Sequence, residues 1–578
     1  MSRWLSERCH VATALEETLR RCIWSAAWLR GAEPAAAASQ NIDLSQLMER
    51  AGGAAYDIFA HLYAQQRHWL ILVGPGNNGG DGYVIARHAR QAGKAVTVLC
   101  MPQSKPLPTE ATKARAAWQA VGGTEATLEA GQPVQVPADV DLVIDGLLGT
   151  GITGRPREHY EEVIRSINKL PVPRVAIDIP SGLNAETGVA AGECLKADHT
   201  ATFICLKPGL LTGRARDYVG QLHYRSLGLA EWMTAPERLQ HVQCRRLSVE
   251  DIPLFFGTPR AASAHKGSCG KVVLVGGDHG FGGAILMAAE ACVAAGAGLT
   301  RALTRPEYAA PLLTRCPEVM VQSVNDDADK PHASAVPLHQ QMEEAFQWAT
   351  TIAVGPGLGS AEFAQAAVSV AVRHAAEHPE KTLVLDADAL NVLGGQLREG
   401  ASLPVISNSI ITPHPGEAAR LLGCRIEEVE KDRLNAARRL AAIFGGTCLL
   451  KGPGTVVYCD ARSSARDASA PVEVAAVDGL PSRLSNAAIV DAGNPGMASG
   501  GMGDVLTGLL TGLAAQQLHN TFDTACAGAL AHAVAADMVA SADDRGTRGL
   551  RATELIANVP CVVNATGLAR LRQNRGSL

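Results

Sequence analysis

The chain lacks a strong excess of charge of either sign. Its 52 lysine and arginine residues nearly balance 57 aspartate and glutamate residues, and the formal net charge is -5. Proteins that bind nucleic acid through bulk charge are strongly basic, so this balance excludes that class. Charged residues make up 19% and hydrophobic residues 47%, which indicates a folded globular protein and not a disordered one.

Redox, secretion and membrane signals are also missing. The 14 cysteines include no C-x-x-C pair, and several, such as Cys194 and Cys448, lie on apolar runs. We therefore expect buried free thiols in a reducing compartment. The first ten residues lack an apolar signal-peptide core, and the alanine-rich run 525–536 is short for a membrane span and precedes Asp537. A cytoplasmic protein with no membrane or nucleic-acid partner is expected.

Aromatic residues are scarce, at 4%, whereas the small residues alanine and glycine abound. Small residues suit helices that pack closely on a sheet. With 578 residues the chain is too long for one hydrophobic core, and roughly two to four domains are expected. Strand-like runs alternate with helical patterns, which predicts an α/β fold with parallel sheets covered on both faces. A proline-containing junction at 228–266 suggests two domains, 1–240 and 241–578.

Helices and one irregular stretch make up the other predicted local elements. A helix is predicted over 11–30, with Pro34 and the run Ala35–Ala38 interrupting it, and a second helix over 43–61. From residue 508 to 540 the chain is predicted to be helical. The polar stretch 460–485 breaks the αβ alternation and is interpreted as a surface loop or hairpin insertion. Whether it covers a nucleotide site is left open.

Three polar segments follow predicted strands in the N-terminal half: 74–82, 145–155 and 178–182. The carboxyl ends of parallel strands meet at one edge of a sheet, so these segments should converge. Glycine N–H groups can approach an anion there, and Asn, Asp and Ser oxygens suit a hard cation. For 149–155 alone, a tight turn without function is an equal alternative. The strict G-x-G-x-x-G frame with its downstream ribose-binding acid is not clean here, which disfavours a conventional hydride-transfer NAD site.

The strings GPGNNGGDG, IDGLLGTGITGR and IDIPSGLNAETG, which begin at Gly74, Ile144 and Ile177, resemble the NAD(P)H-hydrate epimerase family, or YjeF N-terminal domain. The resemblance covers most of residues 40–230. It implies a Rossmann-like fold and interconversion of R- and S-NADHX and NADPHX, in which water has added to the nicotinamide ring. It also implies that Asn78, Asp145 and Ser181 hold a potassium ion. Implied contacts to the hydrated dinucleotide are Asn77, Asn78, Gly79, Gly80, Asp81, Gly149, Thr150, Gly151, Ile152, Thr153, Gly154, Arg155 and Asp178.

Epimerisation requires an acid or base. Inversion at the hydroxyl-bearing carbon needs the C–O bond to open and re-form, or a proton to move. A carboxylate can serve either route. Asp178 is the candidate catalytic residue.

In the C-terminal half, the segment 498–504 indicates phosphoryl transfer. Gly500, Gly501 and Gly503 free the backbone to wrap a phosphate at a helix start, where N–H groups and the helix dipole favour an anion. Asp504 would lie beside the transferring group and could accept a hydroxyl proton. Lys451, in a K-G-x-G-T string, could reach a nucleotide phosphate. No G-x-x-x-x-G-K-[ST] loop is present, which excludes a Walker-type ATPase.

Two other strand ends have two interpretations each. His414 lies between prolines, where a histidine is more often structural, but Thr412 and Glu417 share its turn, which favours substrate contact. Asp386 and Asp388 could form a metal pair, or the segment from Asp388 could cap a helix.

The strings KGPGT, from Lys451, and NPGMASGGMGD, ending at Asp504, resemble the ADP/ATP-dependent NAD(P)H-hydrate dehydratases over about residues 255–560. The resemblance implies a ribokinase-like fold, often oligomeric, so a homo-oligomer is expected. It implies phosphorylation of the S-hydrate hydroxyl with ADP and Mg2+, loss of phosphate to restore NADH or NADPH, and Asp504 as general base. Implied hydrate contacts are Ala284, Gly357, His414 and Asp504, and implied nucleotide contacts are Lys451, Gly452, Pro453, Gly454, Thr455 and Gly503.

Together the two halves resemble the fused, bifunctional NAD(P)H-hydrate repair enzymes. One alternative is a ribokinase-like small-molecule kinase with an accessory dinucleotide-binding domain. Another is a non-enzymatic binding scaffold in the N-terminal half. The residues do not rank NADHX against NADPHX, or ADP against ATP.

Overall fold

The computed structural model describes residues 14–324, 336–460, 486–542 and 545–564. It divides into an N-terminal unit that ends at Arg246 and a C-terminal unit that begins at Leu247. The predicted insertion at 460–485 lies, apart from its first residue, outside the described residues.

The N-terminal unit is built on a seven-stranded sheet in the order β4-β3-β2-β5-β6-β7-β8, with every neighbouring pair parallel. A separate antiparallel pair joins β1 to β9. The strand bounds are β1 Cys22–Trp24, β2 His68–Val73, β3 Ala95–Cys100, β4 Glu125–Thr127, β5 Leu142–Gly146, β6 Arg174–Ile177, β7 His199–Phe203, β8 Gln221–Arg225 and β9 Val242–Leu247. The strand order changes direction at β2, so ligands are expected beyond its carboxyl end and that of β5.

Helices connect β2 to β3, β3 to β4 and β5 to β6, which is the usual crossover between parallel strands. Helix Leu44–Leu62 is the predicted second helix, and Asp43 and Gln46 close a capping box at its start. The helix bounds are Ala26–Ser39, Leu44–Leu62, Asn77–Gln91, Thr109–Ala120, Glu158–Ile167, Ala230–Met233 and Pro236–Leu239.

The first predicted helix is interrupted near its middle, whereas its last residues, 26–30, are helical as predicted. Residues 22–24 form β1, and helix Ala26–Ser39 continues through Pro34 and Ala35–Ala38 instead of breaking there. Proline removes one N–H from the helix ladder, which normally favours a break. Here the helix start is well secured, because Glu186 accepts hydrogen bonds from Ser25 Oγ and Ala27 N, both at 2.9 Å.

The C-terminal unit contains a sheet in the order β18-β17-β16-β15-β14-β13-β10-β11-β12. Pairs involving β17 are antiparallel and the others are parallel. The strands are β10 Lys271–Val275, β11 Leu299–Thr304, β12 Met320–Ser323, β13 Thr351–Val354, β14 Thr382–Leu385, β15 Ser409–Ile411, β16 Thr447–Leu450, β17 Thr455–Cys459 and β18 Ala487–Val490. The helices are Ile252–Phe256, Gly282–Ala294, Ala309–Arg315, Leu338–Trp348, Glu362–Glu377, Ala387–Arg398, Pro415–Leu422, Ile426–Lys431, Arg433–Phe444, Met502–Ala515, Thr521–Ser541, Ala552–Ile556 and Val559–Val563.

Two apolar helices form much of the core of this unit. The predicted helical run 508–540 is in fact two helices, Met502–Ala515 and Thr521–Ser541, separated by a short turn. A Cβ on Gly508 would lie 2.0 Å from the Ala288 carbonyl oxygen, so helix Met502–Ala515 packs closely on helix Gly282–Ala294. Helix Thr521–Ser541, at 21 residues, is long and apolar enough to cross a membrane, contrary to expectation, but its most apolar window is 78% buried within the protein.

Candidate active sites

The turn after β2 fits tightly against the turn after β5. A Cβ on Gly74 would lie 1.8 Å from the Leu147 carbonyl oxygen, and one on Gly79 would lie 2.1 Å from the Gly74 carbonyl oxygen. Backbone contacts this close require glycine. The helix therefore begins at Asn77, within the glycine string, and its first-turn N–H groups lie at the carboxyl end of β2.

Oxygen donors from three strand ends meet beside this turn. Asp145 is fully buried and accepts hydrogen bonds from Ser181 Oγ at 2.6 Å and Ser181 N at 2.7 Å. Ser181 Oγ lies 3.3 Å from the Leu148 carbonyl oxygen, to which Asn78 Nδ2 also donates at 3.1 Å. Burial raises the pKa of Asp145 to about 6, and the hydrogen bonds from Ser181 oppose that rise. The predicted trio of Asn78, Asp145 and Ser181 is thus brought together, with one backbone carbonyl added.

Asp178 follows β6 and has a left-handed backbone, with φ of 61°. Its Oδ1 accepts hydrogen bonds from Lys207 Nζ at 2.5 Å, Thr202 Oγ1 at 3.0 Å and Phe203 N at 3.3 Å. The Lys207 ammonium is buried. Lys207 was not predicted as a site residue from the sequence, although it stands shortly after β7, where strand-end polar residues are expected.

Two more carboxyl groups lie near Asp178. Burial and the charge of Asp178 raise the pKa of Asp81 well above its usual range. Burial and Asp178 also raise the pKa of Glu33 to about 7, against the opposing effect of Lys207. Glu33 belongs to helix Ala26–Ser39 and was not predicted as a site residue. This cluster has more carboxyl groups than cations, so it favours holding a proton near neutral pH.

The segment 149–155 is mostly exposed and is attached at a few points. Arg30 Nη1 donates to the Thr150 carbonyl oxygen at 2.9 Å, and Asn184 Nδ2 donates to the Ile152 carbonyl oxygen at 3.3 Å. Arg155 forms a two-bond ion pair with Glu161, both bonds at 2.8 Å. Thr150 and Ile152 are therefore held by residues of other segments, whereas the Arg155 guanidinium is already engaged by a carboxylate.

In the C-terminal unit, the end of β14 carries a buried aspartate with three donors. Asp386 accepts from Lys451 Nζ at 2.6 Å and from Thr412 Oγ1 and Thr507 Oγ1, each at 2.7 Å. Burial raises the pKa of Asp386, but the charge of Lys451 and the hydrogen bonds from the two hydroxyls lower it by more. The net pKa is below the usual range, so the carboxylate is ionised. Asp386 links the ends of β14, β15 and β16 to helix Met502–Ala515.

Asp386 and Asp388, predicted either to form a metal pair or, from Asp388 on, to cap a helix, each have a partner within the protein. Asp386 forms an ion pair with Lys451, and Asp388 accepts the N–H of Gly359 at 2.8 Å. Over the described parts of the chain, no group of three or more His, Cys, Asp or Glu residues has metal-site geometry. The Asp386 side chain makes no cap bond to the helix that follows it.

The Lys451 turn is held from behind by a buried arginine. Arg433 Nη2 donates to the carbonyl oxygens of Leu450 at 3.3 Å and Lys451 at 3.0 Å, while Nη1 pairs with Glu430 at 2.7 Å. A Cβ on Gly452 would lie 2.7 Å from the Arg433 guanidinium. Arg433 therefore fixes the backbone from which the lysine side chain projects.

Asp504 lies in the first turn of helix Met502–Ala515, after Gly501 with φ of 86°. Burial and the nearby Asp386 carboxylate raise the pKa of Asp504 to about 7, although Lys451 opposes the rise. A Cβ on Gly503 would lie 3.3 Å from Lys451 Nζ, so an unsubstituted backbone faces the ammonium. Asp504, Gly503 and Lys451 line a cavity of about 390 Å³, together with Asp386, Ala387, His414, Pro415, Glu417 and Gly452.

His414 caps a helix and also lines the cavity. Its Nδ1 accepts the N–H of Gly416 at 2.9 Å and caps helix Pro415–Leu422, while Glu417 accepts the N–H of His414 at 2.8 Å. The side chain is also half exposed and lines the cavity. Burial and the nearby Lys451 lower the pKa of His414, which favours a neutral ring.

Ala284 and Gly357 are adjacent, as expected of two groups that contact one ligand. A Cβ on Gly357, whose φ is 57°, would lie 2.9 Å from the Ala284 Cβ. The preceding loop is fixed because Arg305 Nε donates to Asp278 at 2.7 Å. Neither Ala284 nor Gly357 lines the cavity beside Asp504.

The comparisons with known proteins cover both halves. Residues 44–209 match the family described as YjeF-related protein N-terminus, and residues 272–471 and 476–561 match NAD(P)H-hydrate dehydratase. The chain is 69% identical over 582 residues to the bifunctional NAD(P)H-hydrate repair enzyme of Leishmania infantum, over 99% of both chains. The chain belongs to the bifunctional NAD(P)H-hydrate repair enzymes. Another member of this family, Nnr of Escherichia coli (strain K12), is 45% identical over 94% of both chains.

A solved structure described as ADP/ATP-dependent NAD(P)H-hydrate dehydratase from Bacillus subtilis, co-crystallized with ATP/Mg2+, is similar at 24% identity and a TM-score of 0.41. It covers 54% of this chain and 95% of its own. The predicted α/β class with largely parallel sheets is confirmed, as is the pairing of an epimerase domain with a dehydratase domain in this repair enzyme.

Proposed function

We propose that the two sites act in sequence on one damaged cofactor. The N-terminal site equilibrates R- and S-NAD(P)HX, and the C-terminal site dehydrates the S form to NAD(P)H with ADP, releasing AMP and phosphate. The observation that carries this proposal is Asp504, a carboxyl group with its pKa near 7 in a cavity shared with Lys451. A carboxylate poised near neutral pH beside a cation suits removal of a hydroxyl proton next to a phosphate.

For the dehydratase site, we assign Asp504 as the base that activates the hydrate hydroxyl. Lys451 and the backbone of 452–455 and Gly503 would bind the nucleotide phosphates, since the ammonium and the helix N–H groups both favour anions. Ala284, Gly357 and His414 would contact the hydrate. Mg2+ would neutralise the phosphates of ADP, with most of its ligands from phosphate and water, which agrees with the absence of a three-residue metal cluster among the described residues.

For the epimerase site, we assign Asn78, Asp145 and Ser181 to a potassium ion. The support is chemical: the Asp145 carboxylate and the Ser181 hydroxyl lie beside the Leu148 carbonyl, to which the Asn78 amide also bonds, and hard cations prefer oxygen ligands. The hydrate would bind along the two strand-end segments 77–81 and 149–155. Asp178 would act as the acid or base of inversion.

The test of the whole proposal is incubation of the protein with mixed R- and S-NADPHX, ADP, Mg2+ and K+. Complete conversion to NADPH, followed by reduced-nicotinamide absorbance, together with equimolar free phosphate, is expected. Conversion that stops at the S fraction would show that the N-terminal half is not an epimerase. A stable phosphorylated product without NADPH would instead indicate a small-molecule kinase.

We also propose a cytoplasmic, homo-oligomeric enzyme. All cysteines in the described part of the chain are free thiols, and most are buried, which suits a reducing compartment. Fractionation of cells with a tagged chain tests the location. Light scattering of the purified protein tests the oligomeric state, and a monomer mass would contradict that part of the proposal.

A further inference from the structure

The Lys207 ammonium is buried against Asp178 and uses all its donors there. Its side chain is 1% exposed, and Nζ donates to Asp178 Oδ1 at 2.5 Å, Thr202 Oγ1 at 2.9 Å and the Phe203 carbonyl oxygen at 3.0 Å. An ammonium has three donors, so none is left over for a ligand. Burying an ammonium costs several kcal/mol unless it is paired, so this arrangement holds both partners firmly.

The hydrogen bonds to Asp178 fall on one oxygen only. Lys207, Thr202 and Phe203 N all donate to Oδ1. Among the residues that the structure describes, none donates to Oδ2, and the side chain remains 20% exposed. The left-handed backbone at Asp178, unusual for a residue other than glycine, carries a strain of about 1–3 kcal/mol that the surroundings must offset. One oxygen is thus anchored and the other is available.

The Lys207 ammonium also offsets the negative charge of the carboxyl groups around Asp178. Asp81 and Glu33 both lie within electrostatic reach of Asp178, and the cations that act on Glu33 are Lys207 and Arg30. Arg30 is already bonded to Thr150. Without Lys207 the repulsion between these carboxyl groups would be offset less, and Glu33 would retain its proton to higher pH.

We propose that Lys207 is a positioning residue for epimerisation: it anchors Asp178 through Oδ1 and offsets the neighbouring carboxyl groups, leaving Oδ2 for the hydrate. This inference rests on the proposed epimerase function. Lys207 acts through Asp178 and does not itself contact the substrate.

The test uses the full-length chain with purified R-NADPHX, and epimerisation is followed chromatographically without ADP. Lys207→Met keeps the length of the side chain and removes its charge. We expect kcat to fall about 100-fold, the size of a typical acid–base contribution, with KM changed by less than about 3-fold. The acid limb of the pH–rate profile should move to higher pH. A kcat and a profile like those of the unmodified enzyme would overturn the proposal.

Lys381→Met is the matched control. Lys381 is also buried, but its ammonium donates to the carbonyl oxygens of Phe346 and Gln347 in the other unit. We expect its epimerisation kcat to stay within about 2-fold of the unmodified value, as for a substitution remote from the reacting groups. An equal loss in both variants would mean that any buried lysine is needed for folding, and would overturn the specific role of Lys207.

If Lys207→Met does not fold, a third variant tests whether the contacts to Asp178 Oδ1 matter for epimerisation. Thr202→Val removes a hydroxyl that donates to Asp178 Oδ1 and accepts from Lys207 Nζ, and it leaves the ion pair. Loss of these two hydrogen bonds predicts a kcat about 5-fold lower and a Tm lowered by a few degrees. An unchanged kcat in that case would overturn the proposal. If the unmodified chain does not epimerise at all, the proposed function of the site fails, and that result is separate from any effect of Lys207.

Discussion

At the scale of single residues, Asp504 decides how the dehydratase should respond to pH. Burial and Asp386 raise its pKa to about 7, and a base must be ionised to accept a proton. We expect kcat for dehydration of S-NADPHX to rise with pH through about 7 and to fall about 10-fold per unit below that. Initial rates between pH 5.5 and 8.5 measure this. A rate that is flat from pH 6 to 8 would contradict the assignment.

Substitution of Asp504 separates the two activities. Asp504→Asn keeps the shape of the side chain and removes the base, so dehydration should fall by about 100-fold or more. Epimerisation in the absence of ADP should be unchanged, which also serves as the folding control. Dehydration that persists in this variant would show that another group takes the proton.

Ser181 is the residue through which the proposed potassium site can be tested. Its hydroxyl lies between Asp145 and the Leu148 carbonyl. We expect Ser181→Ala to raise the K+ concentration needed for half-maximal epimerisation about 10-fold, because one oxygen ligand is lost. Titration with KCl at constant ionic strength measures it. An epimerase rate that does not depend on K+ in the unmodified enzyme would contradict the assignment of a potassium ion to this site.

Residue types and strand-end positions were enough to predict some of the site contacts but not others. Asn78, Asp145 and Ser181 follow strands in the sequence, so their convergence could be inferred from parallel topology alone. Lys207 and Glu33 could not, because an ammonium that turns back onto Asp178 and a carboxyl group on a separate helix depend on packing. Nor does sequence show that Arg155 is paired with Glu161.

At the scale of elements, helix starts differ most from prediction. Helix Asn77–Gln91 begins inside the glycine string 74–82, and helix Met502–Ala515 begins before residue 508, where the predicted helical run starts. Glycine lowers helix propensity by about 1 kcal/mol, which is why the pattern suggested a later start. The tertiary structure overrides this, because Gly79 and Gly508 permit backbone contacts that a Cβ would block.

The turn after β16 is an element whose position depends on Arg433. Its guanidinium holds the carbonyl groups of Leu450 and Lys451. We expect Arg433→Met to displace Lys451 and lower kcat/KM for ADP by about 100-fold, since a shift near 1 Å has effects of that order. Steady-state kinetics with varied ADP measure this. The control is Arg438→Met on the same helix, where the arginine is exposed and bonded only locally to Asn435. Equal kinetics for the two variants would exclude the positioning role.

At the scale of the whole molecule, the chain combines two chemistries whose sites lie in separate compact units. Each set of assigned residues belongs to a single unit: Asn78, Asp145 and Asp178 precede Arg246, and Lys451 and Asp504 follow Leu247. The product of the first reaction is free S-NAD(P)HX, which is the substrate of the second. No covalent intermediate has to pass between the sites, so the two steps should be separable between chains.

Complementation between two defective chains tests this independence. Asp178→Asn should repair only the S fraction of a mixed NADPHX sample, and Asp504→Asn should repair none while still epimerising it. An equimolar mixture of the two variants with ADP, Mg2+ and K+ should convert the whole sample to NADPH, because S-NADPHX released by one chain can diffuse to the other. NADPH absorbance at completion measures the outcome. Conversion that stops at the S fraction, despite active epimerisation by the Asp504→Asn chain alone, would mean that the two reactions require both intact sites in one chain.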